Sequence, residues 1–220
     1  MQRNNRGYMV LSVSCMVVLA AMSSGLLAGC QVQKAAYSGF LGDYSKLLPS
    51  PEVEDALYYQ NPAKSLKDYD KFIIDPVLVH FAPNAKGIAL DPAKLKKLTD
   101  YAYDEAVKAL SQRYAVVNVP GPRVLRLRTA LTDIKKTKPV MNIHPATKLS
   151  GIGLGGASME AEALDSQTGE CVFAVVDTRQ GNRLSFGAGL SELGHAQQVI
   201  KHWIERFVGR VDKAHGYTEK

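Results

Sequence analysis

Three cysteines, five histidines and one tryptophan in 220 residues leave little material for the commoner kinds of site chemistry. Beyond residue 30 only Cys171 remains, so no internal disulfide is available to the bulk of the chain. That thiol lies in the apolar run Glu170-Cys171-Val172-Phe173-Ala174-Val175-Val176, where a lone cysteine behaves as a small buried hydrophobe rather than a nucleophile. His80, His144, His195, His202 and His215 form no His-Glu-x-x-His pattern and none pairs closely with a cysteine, which removes the usual zinc signatures. His195 and His202 are seven apart and share only the edge of one helix face. Ser185 and Ser191 flank glycines without the Gly-x-Ser-x-Gly spacing of a nucleophile elbow. The residues thus offer no nucleophile, base and orienter set, and the expectation is a protein that is not an enzyme, with no cofactor and no metal.

Long apolar runs are equally scarce, with one exception. Arg3 and Arg6 precede an uncharged stretch from Gly7 to Gly29, the basic-then-apolar order of a secretory signal. The stretch ends in Leu27-Ala28-Gly29-Cys30, the large-small-small-Cys order that lipoprotein signal peptidase cuts once a diacylglyceryl thioether has formed on the cysteine. An uncleaved anchor of about 20 apolar residues would also span a bilayer, but it would not need this tetrapeptide. Residues 1–29 are therefore read as a lipoprotein signal peptide and Cys30 as the lipidated residue. Acyl chains contribute about 0.8 kcal/mol per buried methylene, so such an anchor is effectively permanent. Gln31 rather than Asp follows the cysteine, which favours the periplasmic leaflet of the outer membrane over retention in the inner one.

Cleavage would leave 191 residues with 25 basic and 21 acidic side chains, a size suited to one domain. The charge is uneven. Residues 30–85 carry 5 basic and 7 acidic groups, residues 86–148 carry 13 and 5, and residues 149–220 carry 7 and 9. The basic middle third reads either as a solvated helix face plus a polar loop or as a surface for an anionic partner. Export argues against nucleic acid.

Residues 30–70 read as a lipidated tether followed by a wrapping segment, because Gly39, Gly42, Pro49, Pro51 and Pro62 interrupt any long periodic element while Tyr37, Phe40, Tyr44, Tyr58, Tyr59 and Tyr69 need an apolar surface to cover. A single domain spans residues 71–214, with a tail at 215–220. Its first strand is 71–81, where Pro76 marks an edge or a bulge. Asp91 and Pro92 open a helix to about Ser111 with Leu95, Leu98, Tyr101 or Ala102, Ala106 and Leu110 at helical spacing. Strands follow at 114–119 and 123–134, expected to be neighbours across Pro120-Gly121-Pro122. Leu125, Leu127, Thr129 and Leu131 would face a core, and Val124, Arg126, Arg128, Ala130 and Thr132 would face water. Residues 157–164 and 170–177 form a hairpin about Asp165–Gly169. A last helix, capped by Ser191, carries Ala196, Val199 or Ile200, Trp203, Phe207 and Val211 along one stripe. The fold class is α+β: about five mostly antiparallel strands with two helices on one face, a layered sandwich.

Two polar groupings remain. Gly151-Ile152-Gly153-Leu154-Gly155-Gly156 has the glycine content of a phosphate loop but leads into a strand, without a Lys-Ser/Thr, and reads as a bent strand entry. Glu160 and Glu162 share one strand face, as acid and base carboxylates would if burial separated their pKa values. The simpler reading is a cross-strand ladder with Arg126 and Arg128, at about 0.2–1 kcal/mol per pair, and the second reading is a polar ligand lying across it.

The lipobox, the run Tyr37-Ser38-Gly39-Phe40-Leu41-Gly42-Asp43-Tyr44-Ser45-Lys46-Leu47, the Ile74-Asp75-Pro76-Val77 strand and the hairpin Glu160-Ala161-Glu162-Ala163-Leu164-Asp165 to Thr168-Gly169-Glu170 together resemble an uncharacterised Gram-negative lipoprotein family, domain of unknown function 3313. The resemblance covers nearly all of the mature chain and implies an envelope lipoprotein without catalytic residues to carry over. The expected function is a non-enzymatic outer-membrane lipoprotein, held on the membrane by lipid, that binds an envelope protein partner during transport or assembly. The alternatives are a small-ligand or lipid-binding domain with an apolar cleft between helices and sheet, and an envelope hydrolase acting through Glu160 and Glu162.

Overall fold

Two strands of ten residues each form the hairpin that the turn chemistry predicts: Asp165 Oδ1 accepts the N–H groups of Gln167 and Thr168 at 3.0 and 3.1 Å, and Gly169 takes a φ of 71°. A computed structural model describes this hairpin and the rest of residues 37–139, 154–181 and 188–217. The signal segment, Cys30, His144, Gly151 to Gly153 and Ser185 lie outside the described residues.

The elements, in chain order, are β1 (Leu48–Pro49), β2 (Leu57–Gln60), β3 (Lys71–Ile74), β4 (Leu78–Val79), α1 (Pro92–Leu110), β5 (Ala115–Val116), β6 (Val124–Lys135), β7 (Gly156–Asp165), β8 (Cys171–Gln180) and α2 (Gly194–Ala214). They form an α+β unit around one mixed sheet in the order β1-β2-β8-β7-β6-β3-β5, with β4 also on β6. Eight strands thus replace the expected five. Two of the additional ones, β1 and β2, come from the segment read as a tether, where Leu57 to Gln60 pair with Val176 to Phe173.

The pairing is less antiparallel than expected, because β3 and β4 both run parallel to β6 and β5 runs parallel to β3. The predicted strand 71–81 is one line of chain broken at Asp75-Pro76-Val77, since proline cannot donate to a ladder. The 114–119 strand contributes only Ala115 and Val116, and it does not neighbour β6. Strand β3 lies between them, and α1 is the crossover that lets β3 and β5 run parallel.

Helix α1 starts as its sequence predicts, with Asp91 Oδ1 accepting the Ala93 N–H at 2.8 Å and Pro92 in the first turn. Helix α2 corrects its prediction. It begins at Gly194 with Leu193 at the N-cap and no side-chain cap, so Ser191 does not cap it. Its stripe is as expected: Ala196, Val199, Ile200, Trp203 and Val211 are buried. Both helices pack on the face of Leu125, Leu131 and Ala163, and they do so in two clusters. One gathers Phe72, Leu110, Tyr114, Leu125, Phe173 and Val211. The other gathers Leu98, Ala102, Leu131, Ile134, Ile200 and Trp203. A bulge between Leu131 and Asp133 lets Ile134 rejoin the core face.

Candidate functional site

The sheet face turned away from the helices carries the polar residues singled out above, and the structure separates them. Arg128 pairs with Glu162 directly across the strands. Arg126 lies opposite Leu164 and instead grips Asp75 at 2.9 and 3.0 Å. Glu160 has no arginine among the described contacts. It is wholly buried, which corrects the expectation of a wet face, and Ala130, Thr132 and Val124 of the same face are buried too.

The cover over Glu160 is Tyr37–Leu47. Ser38 donates its N–H to Glu160 Oε1 at 2.7 Å, and the Tyr44 hydroxyl donates to Oε2 at 2.6 Å. That hydroxyl oxygen also accepts the N–H of Gly39 at 2.8 Å, and Tyr37 stacks on Tyr44 with centroids 4.1 Å apart. Gly39 and Gly42 have φ of 96° and 74°, the left-handed backbone that glycine adopts without strain. Phe40 receives the Arg128 guanidinium over its ring at 5.2 Å. Burial, then the bond to Glu160, holds the Tyr44 hydroxyl above the ordinary tyrosine range. Burial likewise raises the Glu162 carboxyl, against the opposing pull of Arg128. This face is a sealed polar latch.

The helix-facing side is different. Leu127, Thr129, Ala161 and Val175 lie on central strands under the helices, yet all four are only half-buried. They floor a crevice of about 140 Å³ whose upper walls include Ala102 and Ala106 of α1 and Ile204 and Phe207 of α2. The cause is side-chain size: alanines and a threonine meet where the two flanking clusters supply Leu, Ile and Phe, so the helices bridge a space they do not fill. The volume is close to that of an engineered apolar cavity of about 150 Å³ that holds benzene. Trp203, the chain's single tryptophan, lines the crevice, as do Asp177, Arg206 and Arg210. Asp177 Oδ2 accepts Trp203 Nε1 and Arg179 Nε, each at 3.0 Å. Arg210 holds Glu52 at 2.7 Å and Arg206 stands 3.6 Å from the same oxygen. In the sequence Asp177 is only the last residue of a strand pattern, and the crevice itself leaves no motif beyond alanines at core positions.

The other candidates are structural. Cys171 is half-buried, and burial pushes its thiol up to about 11. Gly155 and Gly156 are strand entry: a Cβ on Gly156 would stand 2.2 Å from Arg179 O, and one on Gly155 2.6 Å from Lys135 O. His195 is 1% exposed and its Nδ1 meets Thr137 Oγ1 at 3.1 Å and the Gly155 N–H at 3.2 Å. Eight of the basic groups in residues 86–148 are in ion pairs, including Lys94 and Lys136 on Glu192, Arg113 on Asp212 and Arg123 on Asp70. Six of these eight reach acids from the other two thirds, with Lys94 and Lys136 sharing Glu192, so the block is partly neutralised from outside. Among the described residues, no helix is long and apolar enough to cross a membrane.

Known proteins are similar to the chain in sequence and in fold. The uncharacterized lipoprotein YdcL of Escherichia coli K12 is 26% identical over 196 residues, spanning 80% of this chain and 87% of YdcL. Among solved structures, the PelC dodecamer of Paraburkholderia phytofirmans is 14% identical with a TM-score of 0.40, covering 74% of this chain and 98% of that one. A DUF330 protein of Xanthomonas campestris is 13% identical with a TM-score of 0.41, covering 71% and 91%. The model of the family described as protein of unknown function, DUF3313, matches residues 36–207, from the start of the Tyr37–Leu47 cover through the Phe207 wall of the crevice, and the chain belongs to that family.

Proposed function

We propose that the chain is an envelope lipoprotein, cut before Cys30 and lipid-anchored at the periplasmic leaflet of the outer membrane, whose domain binds a small apolar ligand without catalysing a reaction. The half-buried central floor of Leu127, Thr129, Ala161 and Val175 carries this reading, since folding alone favours filling such a space. The lipobox supports the anchor, as does similarity to a protein named a lipoprotein. A hydrolase using Glu160 and Glu162 has less support, because Glu160 has each oxygen occupied under the Tyr37–Leu47 cover and Glu162 is held by Arg128. A protein-partner reading would need an exposed apolar surface, and Leu48, Leu78, Ile88, Val119 and Leu190 are exposed at five separate places along the chain.

Trp203 provides the test. Full-length protein in phosphatidylcholine vesicles is titrated with 6-bromohexan-1-ol, whose bromine quenches indole fluorescence on contact, with aqueous bromide as the control for exposed tryptophan. Saturable quenching that Ala161→Leu abolishes is the expected result. Quenching that rises without saturation, equally in both proteins, would sink the reading. The anchor is checked separately: Cys30→Ala should lose metabolic palmitate labelling and keep its signal segment.

A further inference from the structure

One residue of the crevice wall carries a polar atom that the described protein does not satisfy. Asp177 is 2% exposed and lines the crevice, and while its Oδ2 takes two donors, its Oδ1 is buried with no hydrogen-bond partner among the described residues. A buried carboxylate oxygen without a donor is costly, and native structures seldom keep one without a use for it. The other such oxygen, Asp70 Oδ1, belongs to the ion pair with Arg123 and does not line the crevice.

The surrounding charge decides what kind of donor fits. Asp177 already faces the Arg179 guanidinium, and Arg206 and His202 both lie within its field. A ligand ammonium would meet these cations at close quarters. A ligand carboxylate or ketone would bring only acceptors to an oxygen that lacks a donor. A neutral hydroxyl supplies the missing proton without adding charge. We propose that Asp177 Oδ1 is the polar end of the crevice and selects apolar molecules that carry a hydroxyl group, the hydrocarbon part lying over Leu127, Ala161 and Val175. This rests on the crevice being a ligand site.

Cyclohexanol and cyclohexanone match the space in size and differ in the one feature that matters. Their affinities are read by recovery of Trp203 fluorescence as each displaces 6-bromohexan-1-ol from full-length protein in phosphatidylcholine vesicles. A hydrogen bond to a charged acceptor predicts that the wild type binds the alcohol about tenfold more tightly than the ketone. In Asp177→Asn, Trp203 and Arg179 keep the amide oxygen at the Oδ2 position, which puts Nδ2 where Oδ1 stood. The ketone then gains a donor, and the ratio falls to one or below. Should Asp177→Asn not fold, the wild-type ratio decides alone. Equal wild-type affinities, or a ratio that Asp177→Asn leaves unchanged, would overturn the role of Asp177 while saturable quenching kept the crevice intact. Absence of saturable quenching would remove both.

Discussion

Glu160 illustrates how one side chain can hold down a whole segment. Its two oxygens take the Ser38 N–H and the Tyr44 hydroxyl, so Glu160→Ala leaves both donors under the Tyr37–Leu47 cover without an acceptor. Hydrogen bonds to a charged group are worth about 1.5–3 kcal/mol each, and both donors are only partly buried, so a loss of about 2–4 kcal/mol is expected. Glu160→Gln, which keeps one acceptor, should lose less. Urea midpoints at unchanged slope test this ordering, and equal midpoints for all three proteins would show that the latch carries no stability. Cys171 makes a kinetic prediction. With its thiol at about 11, only about one molecule in a thousand is thiolate at pH 8, so iodoacetamide should label the folded protein orders of magnitude more slowly than the urea-unfolded chain.

At the level of elements, much of the order was legible and the pairing was not. Asp91-Pro92, the assignment of Leu125 and Leu131 to the helix-covered face and the Asp165–Gly169 turn each act through neighbours a few residues away, and each appears as read. Strand partnership depends on distant chain. Nothing in 114–119 announces that β3 takes the place beside β6, and nothing in 48–60 distinguishes a wrapping segment from two strands added beyond β8. The candidate pair of glutamates failed for the same reason: a period of two puts Glu160 and Glu162 on one face, but what covers that face is 116 residues away in sequence. The glycine run is where local reading and packing meet. Gly156 opens β7 opposite Gln180, with space for a hydrogen but not a methyl against Arg179 O. Gly156→Ala should therefore push β7 off β8 at its entry and destabilise the domain by about 1–3 kcal/mol, whereas Gly169→Ala, with nothing within 4 Å, should cost only the strain of its positive φ. Hydrogen exchange at the β7–β8 entry distinguishes the two, since only the first variant should lose protection there.

Across the whole molecule, three tyrosines tie separate parts of the chain to carboxylates. Tyr44 bonds Glu160, Tyr69 bonds Asp165 at 2.9 Å, and Tyr114 bonds Asp212 at 2.5 Å, joining the cover to β7, the segment before β3 to the hairpin turn, and the start of β5 to α2. In each case burial first, and then the carboxylate, raises the hydroxyl above its ordinary value of 10.0. A raised value means that the folded state holds the proton more tightly than the unfolded state does. The stabilisation is therefore complete below pH 10 and is lost as pH rises through the folded values. The urea midpoint should accordingly be steady from pH 8 to about 9.5 and fall steeply above 10. Lysine titration begins in the same range, so the triple variant Tyr44→Phe, Tyr69→Phe and Tyr114→Phe separates the causes. It should start from a lower midpoint at pH 8 and decline less between pH 10 and 11.5. Parallel curves for the two proteins would assign the alkaline loss to the lysines and leave the three tyrosine ties as geometry without linkage.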